Sequence, residues 1–344
     1  MEQNKDILQL LDLTVQPGFC VQKQIITSVN QSARRLLLEP GMKLLPLLQT
    51  GAEDYLEFTQ GCLYLQLRLQ DRLWGASVVH LADSDVFLLD AQPEASQLQA
   101  LALAAQELRE PVSRILLAHK HLGQLPSPQA GQLHQGLSQL MRIINNMSDA
   151  LSYTEGTQQE IRNIPAVLDE ILQKAQPLLA QAGLALSLEG FSQEAYGPCD
   201  SQQLERAVLN ILSNAAKFTA PGGHLAAALT RRKNRLYLSI EDTGSGICQD
   251  ILGNVFFRYL RQPGIEDSRF GLGLGMVLIR AAAANHGGCV LIDQPGGTRI
   301  TMTLSLTQPG ETTLRSPLFR VDYAGDRDHA LLELSDVLPS HLYE

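Results

Sequence analysis

Asn210, Asn214 and Lys217 stand at i, i+4 and i+7, so in a helix their side chains leave from one face. An Asn oxygen is a hard ligand suited to Mg²⁺, which keeps most of its coordination for water and phosphate, and Lys meets phosphate as a point charge. Further on, Asp242-Thr-Gly-Ser-Gly246 sets a carboxylate, able to accept from an exocyclic amine such as that of adenine, beside Gly244 and Gly246, which let the backbone turn and approach a ligand. A third piece, Gly271-Leu-Gly-Leu-Gly275, opens onto the apolar stretch Val277–Asn285. Glycines leading into a helix N-terminus present unpaired N–H groups and the positive end of the dipole, which suit phosphate. No Gly-Lys-Ser/Thr follows it, and no βαβ unit with a distal acidic residue surrounds it, so it is neither a Walker A loop nor a dinucleotide fingerprint. Alone, each piece has an ordinary reading as a solvated helix face, a turn or close glycine packing. Together they point to ATP with Mg²⁺.

These residues need particular elements beneath them. Asp200-Ser-Gln-Gln203 reads as a helix cap, and Leu204, Ala207, Val208, Ile211 and Leu212 recur at helical spacing, which predicts the helix that carries the Asn pair. A hairpin is expected at Leu225–Thr230 and Leu236–Glu241 around Arg-Arg-Lys-Asn, with Asp242 at the end of its second strand. Upstream, residues 94–155 read as two long helices. Leu98, Leu101, Ala105, Leu108, Val112, Ile115, His119 and Leu122 alternate spacings of three and four, as do Leu133, Leu137, Leu140, Ile144, Met147, Leu151 and Thr154 after Leu-Pro-Ser-Pro-Gln. A hairpin with one apolar seam per helix cannot bury itself, so two copies forming a four-helix bundle, a homodimer, is expected.

In order and spacing the three glycine and asparagine pieces resemble the ATP-binding domain of the GHKL type, shared by histidine protein kinases, gyrase, the mismatch-repair ATPases and the large heat-shock chaperone. Asn210–Thr219 resembles the Asn-rich box, Asp242–Gly246 the first Gly box and Gly271–Gly275 the second. Val255-Phe256-Phe257-Arg258 resembles the Phe-containing box that anchors a mobile lid, and Gly296-Gly297-Thr298 the terminal Gly-Gly-Thr. The resemblance implies that Asn214 holds Mg²⁺, that Asn210 and Lys217 contact metal or phosphate, and that Asp242 reads adenine. It further implies that Gly244, Gly246, Phe257, Gly271, Gly273, Gly275 and Thr298 line the ATP site. Hydrolysing members place a water-activating Glu where this chain has Asn210, so the resemblance is to the phosphotransfer branch.

In the same kinases the first hairpin helix carries a His-Glu-Leu-Arg-Thr-Pro-like box, and this chain has Gln106-Glu-Leu-Arg-Glu-Pro111 in its place. A carboxamide nitrogen is a poor nucleophile because its lone pair is delocalised, so Gln106 does not accept a phosphoryl group as imidazole does. Glu110, where the family commonly has Thr or Asn, would repel an incoming acyl phosphate. Glu107, which in the family assists the neighbouring His, has nothing to activate. His119 occupies the seam and is expected to be buried. His121 lies about 22 Å further along the axis than Gln106 at 1.5 Å per residue, and His134 sits beside the seam of the second helix. Neither His121 nor His134 has the Glu-Leu-Arg-x-Pro context.

The first ninety residues or so resemble, weakly, a PAS sensor domain. Val29-Asn-Gln-Ser-Ala33 follows an early hairpin, and apolar runs at Leu63–Leu69, Ala76–Leu81 and Val86–Leu89 suggest three strands. Cys20 and Cys62 read as small buried hydrophobes. After a last strand at Arg299–Leu306, Pro317–Tyr323 suggests an edge strand and Asp328–Leu338 a short capped helix, with no role assigned.

The expected fold is therefore α+β and multidomain: a PAS-like α/β sensor over 1–92, a helical hairpin over 93–157 and a GHKL-type α/β sandwich over 158–307, its mixed sheet covered by helices on one face. Residues 308–344 form an extension. The 344 residues suffice for two to three domains. Apolar runs are too short for a membrane span, no signal peptide is evident, and a cytoplasmic protein is expected. Five scattered Cys without a CxxC pair argue against a disulfide framework or a structural zinc site, and a net charge of −9 without a basic stripe argues against nucleic acid. Two functional readings stand. One is a pseudokinase-like two-component module that dimerises and binds Mg-ATP without phosphorylating itself at the usual position. The other is an active sensor kinase that uses another His, or a His of a partner kinase, and feeds a response regulator.

Overall fold

The computed structural model describes residues 16–81, 84–90, 95–122, 128–155, 159–247, 256, 274–307 and 328–343, with side chains in the two long helices described over 103–116 and 128–149. Near the N-terminus, β1 (Gly18–Gln22) and β2 (Ile25–Val29) form a hairpin whose turn puts Lys23 and Gln24 at φ 49° and 65°. Asn30 then caps the short helix α1 (Gln31–Arg34). Its Oδ1 accepts the N–H groups of Ala33 at 2.8 Å and Gly18 at 3.0 Å, tying helix start to strand start. After α2 (Ala52–Glu57) come β3 (Cys62–Leu69), β4 (Arg72–Leu81) and β5 (Ser84–Leu89), and the five strands run antiparallel in the order β2-β1-β5-β4-β3. Their core is aromatic and aliphatic, with Phe19 and Phe87 stacked at 4.8 Å; Cys20 and Cys62 are buried, as their sequence context suggested.

Two long helices follow, α3 (Ala95–Leu122), which runs straight through Pro111, and α4 (Pro128–Glu155). Between them lie Ala105, Val112, Leu116, Leu137, Met141 and Ile144, all buried. The expected single seam is split. Leu108 and Ile115 on α3, and Leu133 and Leu140 on α4, are 48–51% exposed, because alternate heptad positions turn away from the intrahairpin contact and only one set is consumed within a single chain.

The C-terminal half starts with β6 (Glu160–Asn163), α5 (Ile164–Gln181), β7 (Ala185–Glu189) and β8 (Tyr196–Cys199), β6 and β8 forming a separate two-stranded sheet. Then come α6 (Ser201–Phe218), β9 (His224–Arg232), β10 (Arg235–Asp242), α7 (Leu274–Asn285), β11 (Val290–Asp293) and β12 (Arg299–Ser305). The strands are ordered β11-β12-β10-β9-β7, with β7 parallel to β9 and the others antiparallel, a mixed sheet. Leu236, Leu238 and Ile240 alternate along β10 into a core shared with Leu168 and Leu172 of α5, Val208 and Ile211 of α6 and Ile279 of α7. A last short helix, α8 (His329–Glu333), is capped by Asp328, whose Oδ1 accepts Leu331 N–H at 3.1 Å; it is shorter than the stretch 328–338 expected to be helical, and turns complete the segment.

The two sheets are one. β3 pairs with β11 through Cys62↔Ile292, Leu63↔Leu291 and Tyr64↔Val290, which produces a continuous ten-stranded sheet. Beside this seam Asp54 of α2 is buried between Tyr237 Oη at 2.9 Å and Arg235 Nη1 at 3.2 Å. Composition gave no sign of this junction, since an edge strand that pairs across domains reads like any other alternating strand. Among the described residues no helix is long and apolar enough to cross a membrane.

Candidate nucleotide site

Asp200 starts α6 as the sequence proposed, its Oδ1 accepting the N–H groups of Gln202 and Gln203, both at 3.1 Å. The helix then presents two covered faces. Its apolar face enters the core, and its polar face is not solvated: Asn210 is 4% exposed, its Nδ2 donates to Arg206 O at 2.8 Å, and its Oδ1 lies against Gly275, where an added Cβ would come within 2.9 Å. The second glycine run thus ends where α7 crosses α6 closely, bringing Asn210 and Gly275 together. One turn further along α6 Asn214 is partly exposed. Phe257, Gly271 and Gly273 lie outside the described residues.

At the end of β10, Asp242 is buried, and its Oδ1 accepts Gly244 N–H at 2.8 Å and Thr298 N–H at 3.1 Å. Burial raises the pKa of this carboxyl above its ordinary 3.8, against the hydrogen bonds from Gly244 and Thr298 that lower it. The backbones are equally close: a Cβ on Gly297 would meet Asp242 O at 1.9 Å, and one on Gly244 would meet Phe218 O at 2.4 Å. Gly246 takes φ +73°, which an L side chain rarely adopts. The fold therefore gathers Asp242, Gly244, Gly297 and Thr298 at the C-terminal end of α6, about two turns from Asn210.

Asp242, Gly244, Gly297 and Thr298 all lie within the stretch that matches a known family. Residues 199–308 match the model of the histidine kinase-, DNA gyrase B- and HSP90-like ATPases. That stretch carries the family's ATPase domain, and the curated relatives that the chain resembles are sensor proteins. It is 26% identical to the sensor protein KdpD of Clostridium acetobutylicum over 45% of this chain and 18% of that protein. It is 23% identical to the sensor protein SrrB of Staphylococcus aureus over 68% of this chain and 37% of that protein. The crystal structure of full-length ShkA in complex with AMPPNP shares the fold with a TM-score of 0.51 at 19% identity, over 61% of this chain and 46% of that one. The chain thus spans well under half the length of the curated relatives it matches.

The residues of this ATPase-like domain fit Mg-ATP. A buried carboxylate with one oxygen fixed by two backbone donors, and glycines whose Cβ atoms would fill the space around it, form a cradle for a flat polar base. Phe218, which sequence reasoning did not single out, is 37% exposed, and its backbone carbonyl lies beside Gly244. The hard-ligand Asn side chains lie on the same helix.

Lys217 is paired within the chain. Its side chain is 7% exposed and its Nζ pairs with Asp336 at 2.6 Å. Burial lowers the pKa of this amine, Arg142 lowers it further, and Asp336 opposes both. Sequence reasoning also missed the polar cluster around it. Arg142 pairs with Asp336 and donates to Ser213 Oγ at 3.1 Å; Arg206, 1% exposed, pairs with Asp149 at 2.8 Å and stands 3.6 Å from Glu333. Another Arg carries the site's link to the N-terminal strands: Arg280 of α7 pairs with Asp90 at 2.5 Å, donates to Phe256 O at 2.6 Å and lies 4.8 Å over the Tyr64 ring.

The acceptor-like box lies apart from these groups. Gln106, Glu107 and Glu110 are exposed on α3, and Glu110 pairs with Arg114 one turn on. Helices α7 and α8 pack on α4. His134 faces the Tyr343 carbonyl, Nδ1 to O 3.0 Å, while the side chains of His119 and His121 lie outside the described residues.

Proposed function

We propose that the chain is a two-component signalling module that binds Mg-ATP over residues 158–307, dimerises through residues 93–157, and does not phosphorylate itself at the family's usual position. The carrying observation is Asp242, fixed by Gly244 and Thr298 within a glycine cradle, in a chain whose Gln106 replaces the acceptor imidazole. In this reading Asp242 orients the base, Asn210 and Asn214 hold the metal side of the triphosphate, and Lys217 meets phosphate. Bound Mg²⁺ would supply charge neutralisation at the phosphates, and ATP the transferable group.

The half-exposed Leu108, Ile115, Leu133 and Leu140 support dimerisation, since a second copy is the economical cover for the unused heptad positions. The strand order β2-β1-β5-β4-β3, with two short helices between β2 and β3, supports a PAS-like sensor over 1–92. Pairing of β3 with β11, together with Arg280 bridging Tyr64, Asp90 and Phe256, offers that sensor a direct path to the ATP domain.

The alternative, phosphotransfer to a His elsewhere on this chain, on a partner kinase or onward to a response regulator, draws on the retention of Asn210, Asn214, Lys217 and Asp242 together. Incubation with γ-labelled ATP and Mg²⁺ separates the two. Nucleotide binding without acid-labile label is expected; label on the protein alone contradicts the first reading.

A further inference from the structure

Residues 328–343 are wedged between the helical hairpin and the ATP domain. Leu332 joins the hairpin core with Ala105, Val112, Leu116, Leu137 and Met141, whereas Ala330, Leu334, Leu338 and Tyr343 join the core of the ATP domain. Carbonyls of the segment are held from α4: Gln135 Nε2 donates to Ser335 O at 2.9 Å and Leu338 O at 2.7 Å, and Gln139 Nε2 donates to Ser335 O at 3.2 Å. His329 closes the other end on Glu205 of α6 at 2.7 Å.

The acidic centre of this wedge is aimed at the phosphate-side cation. Asp336 binds Lys217 Nζ at 2.6 Å and the Arg142 guanidinium at once, with Lys217 7% and Asp336 15% exposed. Below them Glu333 is fully buried beside Arg206. A buried ammonium already neutralised by a carboxylate has little attraction left for a second anion, and the carboxylate itself repels a polyphosphate. Nucleotide phosphate and Asp336 therefore compete for one cation.

Room for the exchange exists. A cavity of about 470 Å³ flanks the pair, lined by Ala182, Leu184, Phe218, Pro221 and Val337 among others. Lys217 and Asp336 both line this cavity, while Leu332 and Leu334 do not.

We propose that residues 328–343 are an autoinhibitory latch, in which Asp336 occupies the Lys217 ammonium that a nucleotide phosphate takes when ATP binds. It rests on the reading of Lys217 as a phosphate contact and adds the regulation of that site. Because coupling is reciprocal, nucleotide loosens the latch by the same factor by which the latch weakens nucleotide. Whatever pulls the segment away, including movement of α4 against α6, would raise nucleotide affinity.

The test uses the full chain and compares wild type, Asp336→Asn, Lys217→Ala and the double variant by titration with a fluorescent ATP analogue and Mg²⁺, each checked for folding by circular dichroism. Asp336→Asn keeps the shape of the side chain and removes its charge. It should tighten nucleotide binding about fivefold or more, and Lys217→Ala should abolish that gain. Hydrogen exchange of wild type should also show faster exchange over 329–338 when nucleotide is added. Unchanged affinity in a folded Asp336→Asn, with wild type still binding nucleotide, overturns the latch and leaves the ATP reading intact. No binding by wild type, Asp336→Asn or a variant ending at residue 327 overturns both. A gain that persists in the Lys217→Ala background assigns the effect to general charge and overturns the latch.

Discussion

Thr298 donates its backbone N–H to Asp242 Oδ1 across 3.1 Å, joining the terminal Gly-Gly-Thr turn to the end of β10. The same carboxyl oxygen holds Gly244 N–H at 2.8 Å, so Asp242 organises the cradle, and in the proposed reading its other oxygen meets the base. Asp242→Asn retains an oxygen for the two donors but replaces the second oxygen by an amide N–H, which repels an exocyclic amine. Nucleotide affinity should fall at least about tenfold, the scale of a lost hydrogen bond to a charged group, while the melting temperature in the absence of nucleotide holds or rises. Titration calorimetry and a thermal melt check the two halves.

The same residue sets a pH dependence. Its folded-state pKa is raised by burial above the ordinary 3.8, so the folded protein holds this proton more tightly than the unfolded chain. Stability from this group is therefore full below pH 3.8 and declines as pH rises through the raised value. Nucleotide binding runs the other way, because only the ionised carboxylate is a full acceptor. Affinity measured upward from mildly acidic pH should rise over that window, and Asp242→Asn should flatten the rise.

Gly297→Ala tests the close approach of backbones. An added Cβ would lie 1.9 Å from Asp242 O, too near for either strand to yield locally. A loss of about 1–3 kcal/mol in a denaturant melt is expected from overpacking, with nucleotide binding lost. Gly136→Ala on α4 is the control: nothing lies within 4 Å of the new atom, and helix propensity alone should add about 0.5–1 kcal/mol.

The split seam separates association from folding. Leu140→Glu places a charge on a half-exposed position and should convert a dimer to a folded monomer in light scattering. Leu137→Ala empties a buried site in the hairpin core and should cost about 2–5 kcal/mol.

Gln106→His restores a nucleophile on an exposed position of α3. Acid-labile label from γ-labelled ATP should appear on this variant and vanish in Gln106→His combined with Asp242→Asn. Because Glu110 pairs with Arg114 one turn away, Glu110→Thr in the same background should leave labelling in place and change only the loss of phosphate.

Much of this was written into local pattern. Asp200 capped α6, the alternation of Leu236, Leu238 and Ile240 carried Asp242 to the end of its strand, and the glycines at 244 and 297 sat where backbones touch. Those features depend on neighbours in sequence, or on motifs that keep their spacing. What escaped was contact between distant segments. Nothing in the sequence around Lys217 points to Asp336, and Arg206 sits inside an apolar helical run where a buried pair with Asp149 leaves no local trace. The β3–β11 seam escaped for the same reason, since strand pairing is chosen by the whole sheet.

The most direct test of the central claim is a single incubation of the unaltered protein with γ-labelled ATP and Mg²⁺, read both as thermal shift and as acid-labile label. Nucleotide at about a hundredfold its dissociation constant should stabilise the protein by about 2.7 kcal/mol, with no label above background. Acid-labile label on the protein alone, or no thermal shift, would contradict it.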